Sequence, residues 1–115
     1  MFKTIRLEPF QKELKKILKK FPKAKKRIEG EINSLSENAG NRYPGFGDSL
    51  EVRKIRFGLP EYKIGKSNGL RIVCLFLIMD KKRIPLVVYH KKSIGKEQEI
   101  SKMIKQRLKE VLSTL

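Results

Sequence analysis

The sequence has few cysteines, few acidic residues and no long apolar run. Its single cysteine, Cys74, lies inside an apolar stretch, which predicts a buried thiol and excludes an intramolecular disulfide or a cysteine-rich metal site. The longest apolar run, from Ile72 to Met79, is much shorter than the roughly 18–20 residues of a membrane span. No apolar segment of about 7–15 residues follows the basic N-terminus, as a secretory signal requires. These absences predict a soluble cytoplasmic protein with no membrane contact.

Signatures of several enzyme classes are also missing from the sequence. We find no paired carboxylates, no serine triad and no metal-ligand spacing, and the glycines at positions 40–47 lack the spacing of a phosphate-binding loop. The sequence therefore predicts no metal and no cofactor.

Positive charge is the most informative property of the composition. The chain has 28 Lys and Arg against 12 Asp and Glu, a formal net charge of +16 over 115 residues. Such a charge attracts polyanions and releases counterions when it meets phosphates, so nucleic acid is the favoured partner class. A solvated lysine surface and an acidic protein partner are the alternatives.

The order of apolar and polar residues predicts a single α+β domain over residues 1–115. A short strand at residues 2–7 precedes two amphipathic helices, which form a hairpin at Pro22 and end before Gly40. A Gly- and Asn-rich loop at residues 38–49 leads to strands at 50–57, 70–79 and 84–90, and a helix begins near Lys96. Short turns make the last three strands an antiparallel meander, with the helical hairpin packed on one face.

Cationic residues are predicted to converge at one end of this meander. Lys54 and Arg56 share one face of their strand, Arg71 lies at the start of the next strand, and the sequence HKK at 90–92 follows the third. Like charges brought together are costly unless a ligand such as a phosphate neutralises them. A salt bridge from Arg71 to Glu51, Glu61 or a carboxylate of the last helix is the alternative.

Three short motifs, RKIRF, SNGLRIVCLF and IPLVVYHKK, resemble the RelE/ParE superfamily of toxin–antitoxin toxins, in particular RelE and HigB. The resemblance covers most of the chain, including the lysine-rich helical hairpin before these motifs. It implies the RelE-like fold and an mRNA interferase, a metal-independent endoribonuclease that enters the ribosomal A site and cuts messenger RNA by 2′-hydroxyl attack. A cognate antitoxin is the second partner that it implies.

Carried onto this chain, the resemblance implies that Lys54 and Arg71 stabilise the transition state. Arg56 stands where RelE has a lysine proposed as the base, and arginine stays protonated, so we assign it to phosphate binding. Lys92 stands where RelE has an arginine proposed as the leaving-group acid. The aromatic residue that the family usually has near the start of the last helix is absent.

Further candidates come from the residues themselves. His90 is the only histidine, and its ordinary pKa of about 6.5 suits proton transfer near neutrality, although a histidine at a strand end is commonly a surface residue. Arg53 and Lys91 are candidate RNA contacts beside the predicted catalytic residues. In the loop NRYPGFG, Arg42 and the aromatic Tyr43 are candidates for backbone binding and base stacking, unless the aromatic ring only anchors the loop to the core.

Two other functions fit the same predicted fold. A ParE-like toxin would inhibit DNA gyrase by binding it, without cutting RNA. A non-catalytic RNA-binding homologue would retain the basic face and lack the proton transfer that cleavage requires.

Overall fold

A computed structural model describes residues 2–43, 50–93 and 97–114, without the side chains of Ser93 and Glu97. Within these ranges, three α-helices and five strands form an α+β fold, in the chain order β1 Lys3–Thr4, α1 Glu8–Lys20, α2 Lys25–Asn33, β2 Asn41–Arg42, β3 Glu51–Phe57, β4 Leu70–Leu77, β5 Lys82–His90 and α3 Glu97–Thr114. The sheet order is β1-β5-β4-β3-β2. Strands β3, β4 and β5 form the predicted antiparallel meander, and β1 pairs with β5 in parallel.

Helices cover both sides of the sheet, which we call the α1 side and the α3 side. On the α1 side, the two N-terminal helices bury an apolar stripe against the sheet, including Phe10, Leu14, Ile17, Ile28 and Ile32. On the α3 side, the C-terminal helix contributes Ile100, Ile104, Leu108 and Val111. The central strand β4 supplies buried residues to the apolar core on both sides of the sheet. Its continuous apolar sequence predicts this burial of both faces. No helix in the described ranges is long and apolar enough to span a membrane.

Helix α2 ends earlier than its apolar spacing predicts. The backbone N–H of Ser34 donates to the carbonyls of Gly30 and Glu31, and its hydroxyl also donates to Glu31. Serine side chains that bond to the nearby backbone favour helix ends, so the helix stops at Asn33. Leu35 still reaches the core, which explains why the four-residue spacing continues beyond the helix.

A β-bulge in β5 decides which side chains near its end face each side of the sheet. Val73 pairs with Val87 and Cys74 pairs with Pro85, so Leu86 is an extra residue with no partner in β4. Leu86 and Val87 consequently both face the α3 side, and the alternation after them is inverted. Tyr89 therefore lies on the α3 side with Arg71, its partner in β4.

Side chains from two helices cover the part of the β5 edge that β1 does not pair with. Arg107 of α3 donates from Nη1 to the Leu86 carbonyl at 2.8 Å, and a Glu13 oxygen of α1 accepts the Val88 N–H at 3.3 Å. Arg107 and Glu13 also form a bidentate ion pair at 2.7 and 2.8 Å. The pair therefore satisfies strand-edge groups and ties α1 to α3 across the edge of the sheet.

Candidate anion-binding site

Two arginines lie directly opposite each other in adjacent strands. The register of β3 and β4 pairs Arg56 with Arg71 and Lys54 with Val73, so all three cationic side chains are on the α3 side. Like charges placed opposite each other across a sheet destabilise it. No described carboxylate lies within ion-pair distance of Arg56 or Arg71. This pair therefore has the arrangement of an anion-binding site.

The two arginines line a cavity of about 550 Å³. We call it the cationic cleft, and its described lining residues are Gly40, Asn41, Lys54, Arg56, Lys66, Ser67, Arg71 and Lys91. Five of these eight residues are lysine or arginine, and none is acidic. An anion in the cleft would be surrounded by positive charge from two strands and two connecting segments.

Hydrogen bonds to backbone carbonyls hold the Arg71 guanidinium in place. Its Nη1 donates to the carbonyls of Lys66 and Gly69 at 3.3 and 3.2 Å, and its Nη2 donates to Ser67 at 3.0 Å. The side chain is only 6% exposed. Because carbonyls are neutral acceptors, they fix the orientation of Arg71 without neutralising its charge, and Arg71 remains a lining residue of the cleft.

Lys54 lies between two tyrosine rings on the floor of the cleft. Its Nζ is 6.0 Å from the ring centroids of both Tyr43 and Tyr89, close enough for cation–π attraction. Tyr43 is buried, and its hydroxyl shares a 3.0 Å hydrogen bond with Ser101 of α3. Its ring therefore anchors the chain to the core, the alternative that the sequence left open, and does not present a stacking surface. Residues 44–49 of the same predicted loop lie outside the described residues.

The other predicted RNA contacts have different positions. Lys91 lines the cleft, whereas Lys92, also exposed, is not among its lining residues. Arg42 donates to the Leu50 carbonyl at 2.9 Å. Arg53 faces away from the cleft, on the α1 side, where its Nε donates to Ala39 and its Nη2 to Gly40, both at 3.0 Å. Arg53 thus fixes the turn before β2 from the α1 side of the sheet. This turn forms one wall of the cleft, because Gly40 is a lining residue.

His90 and Arg71 lie on opposite sides of the sheet. His90 pairs with Leu70, and its ring packs edge to face on Phe21, with 5.3 Å between the ring centroids. Burial lowers its pKa, as do the charges of Lys20, Lys92 and Arg71, while the hydrogen bond to Asn68 opposes the change. The histidine is therefore mainly neutral at neutral pH and does not project into the cleft.

Lys66 and Ser67 are lining residues that the sequence pattern did not predict. They belong to the segment that connects β3 to β4, immediately before the strand that carries Arg71. Their position in the sequence could have indicated this, because the residues that immediately precede a strand in a hairpin lie near the first side chains of that strand. Lys66 is only five positions before Arg71.

Replacing Arg56 with alanine should affect stability and anion binding in opposite directions. Removing one of two facing charges is expected to raise the free energy of unfolding at low salt by roughly 0.2–1 kcal/mol. The same change should reduce the increase in melting temperature that inorganic phosphate produces, because a bound anion stabilises the folded state. Thermal unfolding with and without phosphate measures both effects.

Lys109, exposed on α3 and outside the cleft lining, provides the control for Arg56. Lys109→Ala removes the same charge and should leave the phosphate effect unchanged. An equal loss of the phosphate effect in both variants would show nonspecific screening and contradict a specific site.

The described residues include no group of three or more His, Cys, Asp or Glu side chains that could hold a metal ion. Cys74 is fully buried, as predicted, and burial raises the pKa of its thiol, so the thiolate is not formed at neutral pH. The polar side chains in the described part of the cleft are those of three lysines, two arginines, Ser67 and Asn41. No family model matches the chain, and no curated protein is significantly similar to it.

Proposed function

We propose that this protein is a RelE-like toxin that binds messenger RNA in the ribosomal A site and cleaves it. The observation that carries the proposal is the Arg56–Arg71 pair in a cleft whose described lining has five cations and no carboxylate. A phosphodiester supplies the negative charge that this arrangement needs. The resemblance of the three sequence motifs to RelE and HigB supports RNA as the source of that phosphodiester.

In the proposed reaction, the ribose 2′-oxygen attacks the adjacent phosphorus and the bond from phosphorus to the 5′-oxygen breaks. The products are a 2′,3′-cyclic phosphate and a 5′-hydroxyl, after the 2′-hydroxyl loses a proton and the leaving oxygen gains one. Arg56 and Arg71 would stabilise the additional charge on the pentacoordinate phosphate. Of the five cationic side chains in the described lining, the three lysines are able to exchange a proton, because arginine remains protonated.

An RNA-binding protein that does not cleave is the second candidate. It is favoured by His90, the only histidine, which faces the side of the sheet opposite Arg71. In that case the cleft would bind phosphates, and no described imidazole would be positioned to move a proton there.

The proposed toxin requires a partner that blocks the cleft. An antitoxin segment with acidic side chains would complement the cationic lining, and pairing with Arg56 and Arg71 would compete directly with RNA. Such a complex should dissociate more readily as salt increases, because its charges are screened.

Mapping of messenger 5′ ends tests the proposed function. Purified protein would be added to translating ribosomes with a defined messenger, beside an Arg71→Ala variant. We expect cuts in phase with codons for the wild type and their loss in the variant. Binding to ribosomes without cuts would favour the non-catalytic alternative, and gyrase-linked DNA breaks without RNA cuts would reject an RNA target.

A further inference from the structure

The segment from Lys66 to Gly69, which forms one wall of the cationic cleft, is held by side chains from both sides of the sheet. Arg71, on the α3 side, binds the carbonyls of Lys66, Ser67 and Gly69. The remaining carbonyl, that of Asn68, accepts a 2.9 Å hydrogen bond from Nε2 of His90 on the α1 side. Each carbonyl of this segment therefore bonds to a side chain from β4 or β5.

The His90 ring is fixed in the orientation that this bond requires. Its side chain is 7% exposed and packs edge to face on Phe21, with an interplanar angle of 75°. A carbonyl oxygen only accepts hydrogen bonds, so Nε2 must carry the proton in either charge state of the ring. His90 is thus a hydrogen-bond donor held in place by Phe21, the residue that follows α1.

We propose that His90 is a positioning residue that sets the shape of the cationic cleft without touching the ligand. By holding the Asn68 carbonyl, it fixes the segment that carries Lys66 and Ser67. Lys91 follows His90 directly in the chain, and its N–H donates to the Gly69 carbonyl at 3.2 Å. The same end of β5 therefore sets the distance between two walls of the cleft, one with Lys66 and the other with Lys91.

Close packing explains why a single lost bond would alter the cleft. A Cβ atom at Gly69 would lie 2.2 Å from the Phe57 carbonyl oxygen and 3.0 Å from that of Gly65, so the segment is in tight contact with the end of β3. This contact leaves the segment no room to move further inward. Loss of the Asn68 bond should therefore widen the cleft and displace the Lys66 charge, and binding groups displaced by about 1 Å lose much of their effect.

Two amide substitutions distinguish positioning from proton transfer. The side-chain nitrogen of glutamine can occupy the position of histidine Nε2, whereas that of asparagine is nearer the position of Nδ1. His90→Gln therefore retains the donor to Asn68 and His90→Asn loses it, and neither can act as a proton carrier near neutrality. His90→Leu also removes the donor and preserves the apolar contact with Phe21, which provides a second variant if His90→Asn does not fold.

The readouts are the affinity for a short oligoribonucleotide and the amide hydrogen exchange of Asn68 and Gly69, whose N–H groups donate to the carbonyls of Gly65 and Lys66. Loss of one hydrogen bond predicts that His90→Asn and His90→Leu bind about fivefold more weakly and exchange faster at both amides. His90→Gln should stay within about twofold of the wild type in affinity. Wild-type behaviour of all variants would overturn the inference, and so would equal loss of affinity in all of them with unchanged exchange.

This inference rests on the proposed function only in taking RNA as the ligand of the cleft. Hydrogen exchange needs neither RNA nor cleavage, so it reports on the His90 bond even if the protein cuts no messenger. Failure of messenger cleavage would reject the nuclease, whereas unchanged exchange in His90→Asn would reject the positioning role.

Discussion

Replacing Arg71 with alanine is expected to reduce messenger cleavage by at least about 100-fold, the typical effect of losing one group that stabilises charge in a transition state. The change also removes the guanidinium hydrogen bonds to three backbone carbonyls, although those of Lys66 and Gly69 still accept from backbone N–H groups. This loss should lower the free energy of unfolding by roughly 1–3 kcal/mol. Arg71→Lys keeps the charge but cannot reproduce the fork that reaches three carbonyls, so most of the activity should still be lost. Codon-phased 5′ ends and urea unfolding measure the two effects.

Arg83 is a matched control for Arg71, because both arginines are buried in neighbouring strands of the sheet and bind backbone carbonyls. Arg83 is 5% exposed and donates to Leu35 and Phe2, each at 2.8 Å, at the end of β5 distant from His90. Arg83→Lys should therefore destabilise the fold to a similar degree and leave cleavage by the folded fraction unchanged. Equal loss of cleavage in the folded Arg71 and Arg83 variants would mean that Arg71 acts only through stability.

Replacing Glu13 with alanine is expected to give the largest loss of stability, about 2–4 kcal/mol. Glu13 and Arg107 are 21% and 14% exposed, and breaking this partly buried pair leaves an uncompensated charge. The substitution also frees the Val88 N–H at the edge of β5 and removes the link between α1 and α3. Urea unfolding of Glu13→Ala, Arg107→Ala and the double variant gives the coupling free energy of the pair.

Lys12 provides the control on the same helix. Its ion pair with Glu8 spans 3.4 Å, with side chains 74% and 79% exposed, so Lys12→Ala should change the free energy of unfolding by less than about 0.5 kcal/mol. Additive effects of the Glu13 and Arg107 substitutions would contradict the proposed link between the two helices.

Local patterns predicted most of the elements and the basic side of β3. The alternation of Lys54 and Arg56 with Ile55 and Phe57 placed the charged and apolar residues on opposite sides, as the structure confirms. Short turns predicted the antiparallel meander because such turns allow only that arrangement. These features depend on neighbouring residues alone, which explains why one sequence was sufficient to find them.

Features that depend on distant pairing were not predicted. The two-residue strand β1 has too short a pattern to reveal its parallel partner in β5. The bulge at Leu86 inverts which side chains of β5 face each side of the sheet after that residue. The sides occupied by Tyr89 and His90 therefore depend on the register with β4, which the sequence of β5 alone does not reveal. Helix α2 and strand β4 both ended earlier than their apolar spacing indicated.

The cleft itself was predicted only in part. The meeting of Lys54, Arg56 and Arg71 required a particular register, which β3 and β4 adopt. The contribution of Lys66 depends on how the connection between these strands folds back, and carbonyl bonds to Arg71 and His90 determine that path. Such contacts involve backbone atoms, which every residue has, so side-chain patterns do not reveal them.

An NMR titration with a short oligoribonucleotide tests the central claim most directly. The RNA should carry 2′-methoxy groups, so that attack by a 2′-hydroxyl cannot occur. We expect the largest amide shift changes at Lys54, Arg56, Lys66, Arg71 and Lys91, the cations that line the cleft. Changes confined to the exposed lysines of α1, with the amides of Arg56 and Arg71 unaffected, would contradict the assignment of the cleft as the phosphate-binding site.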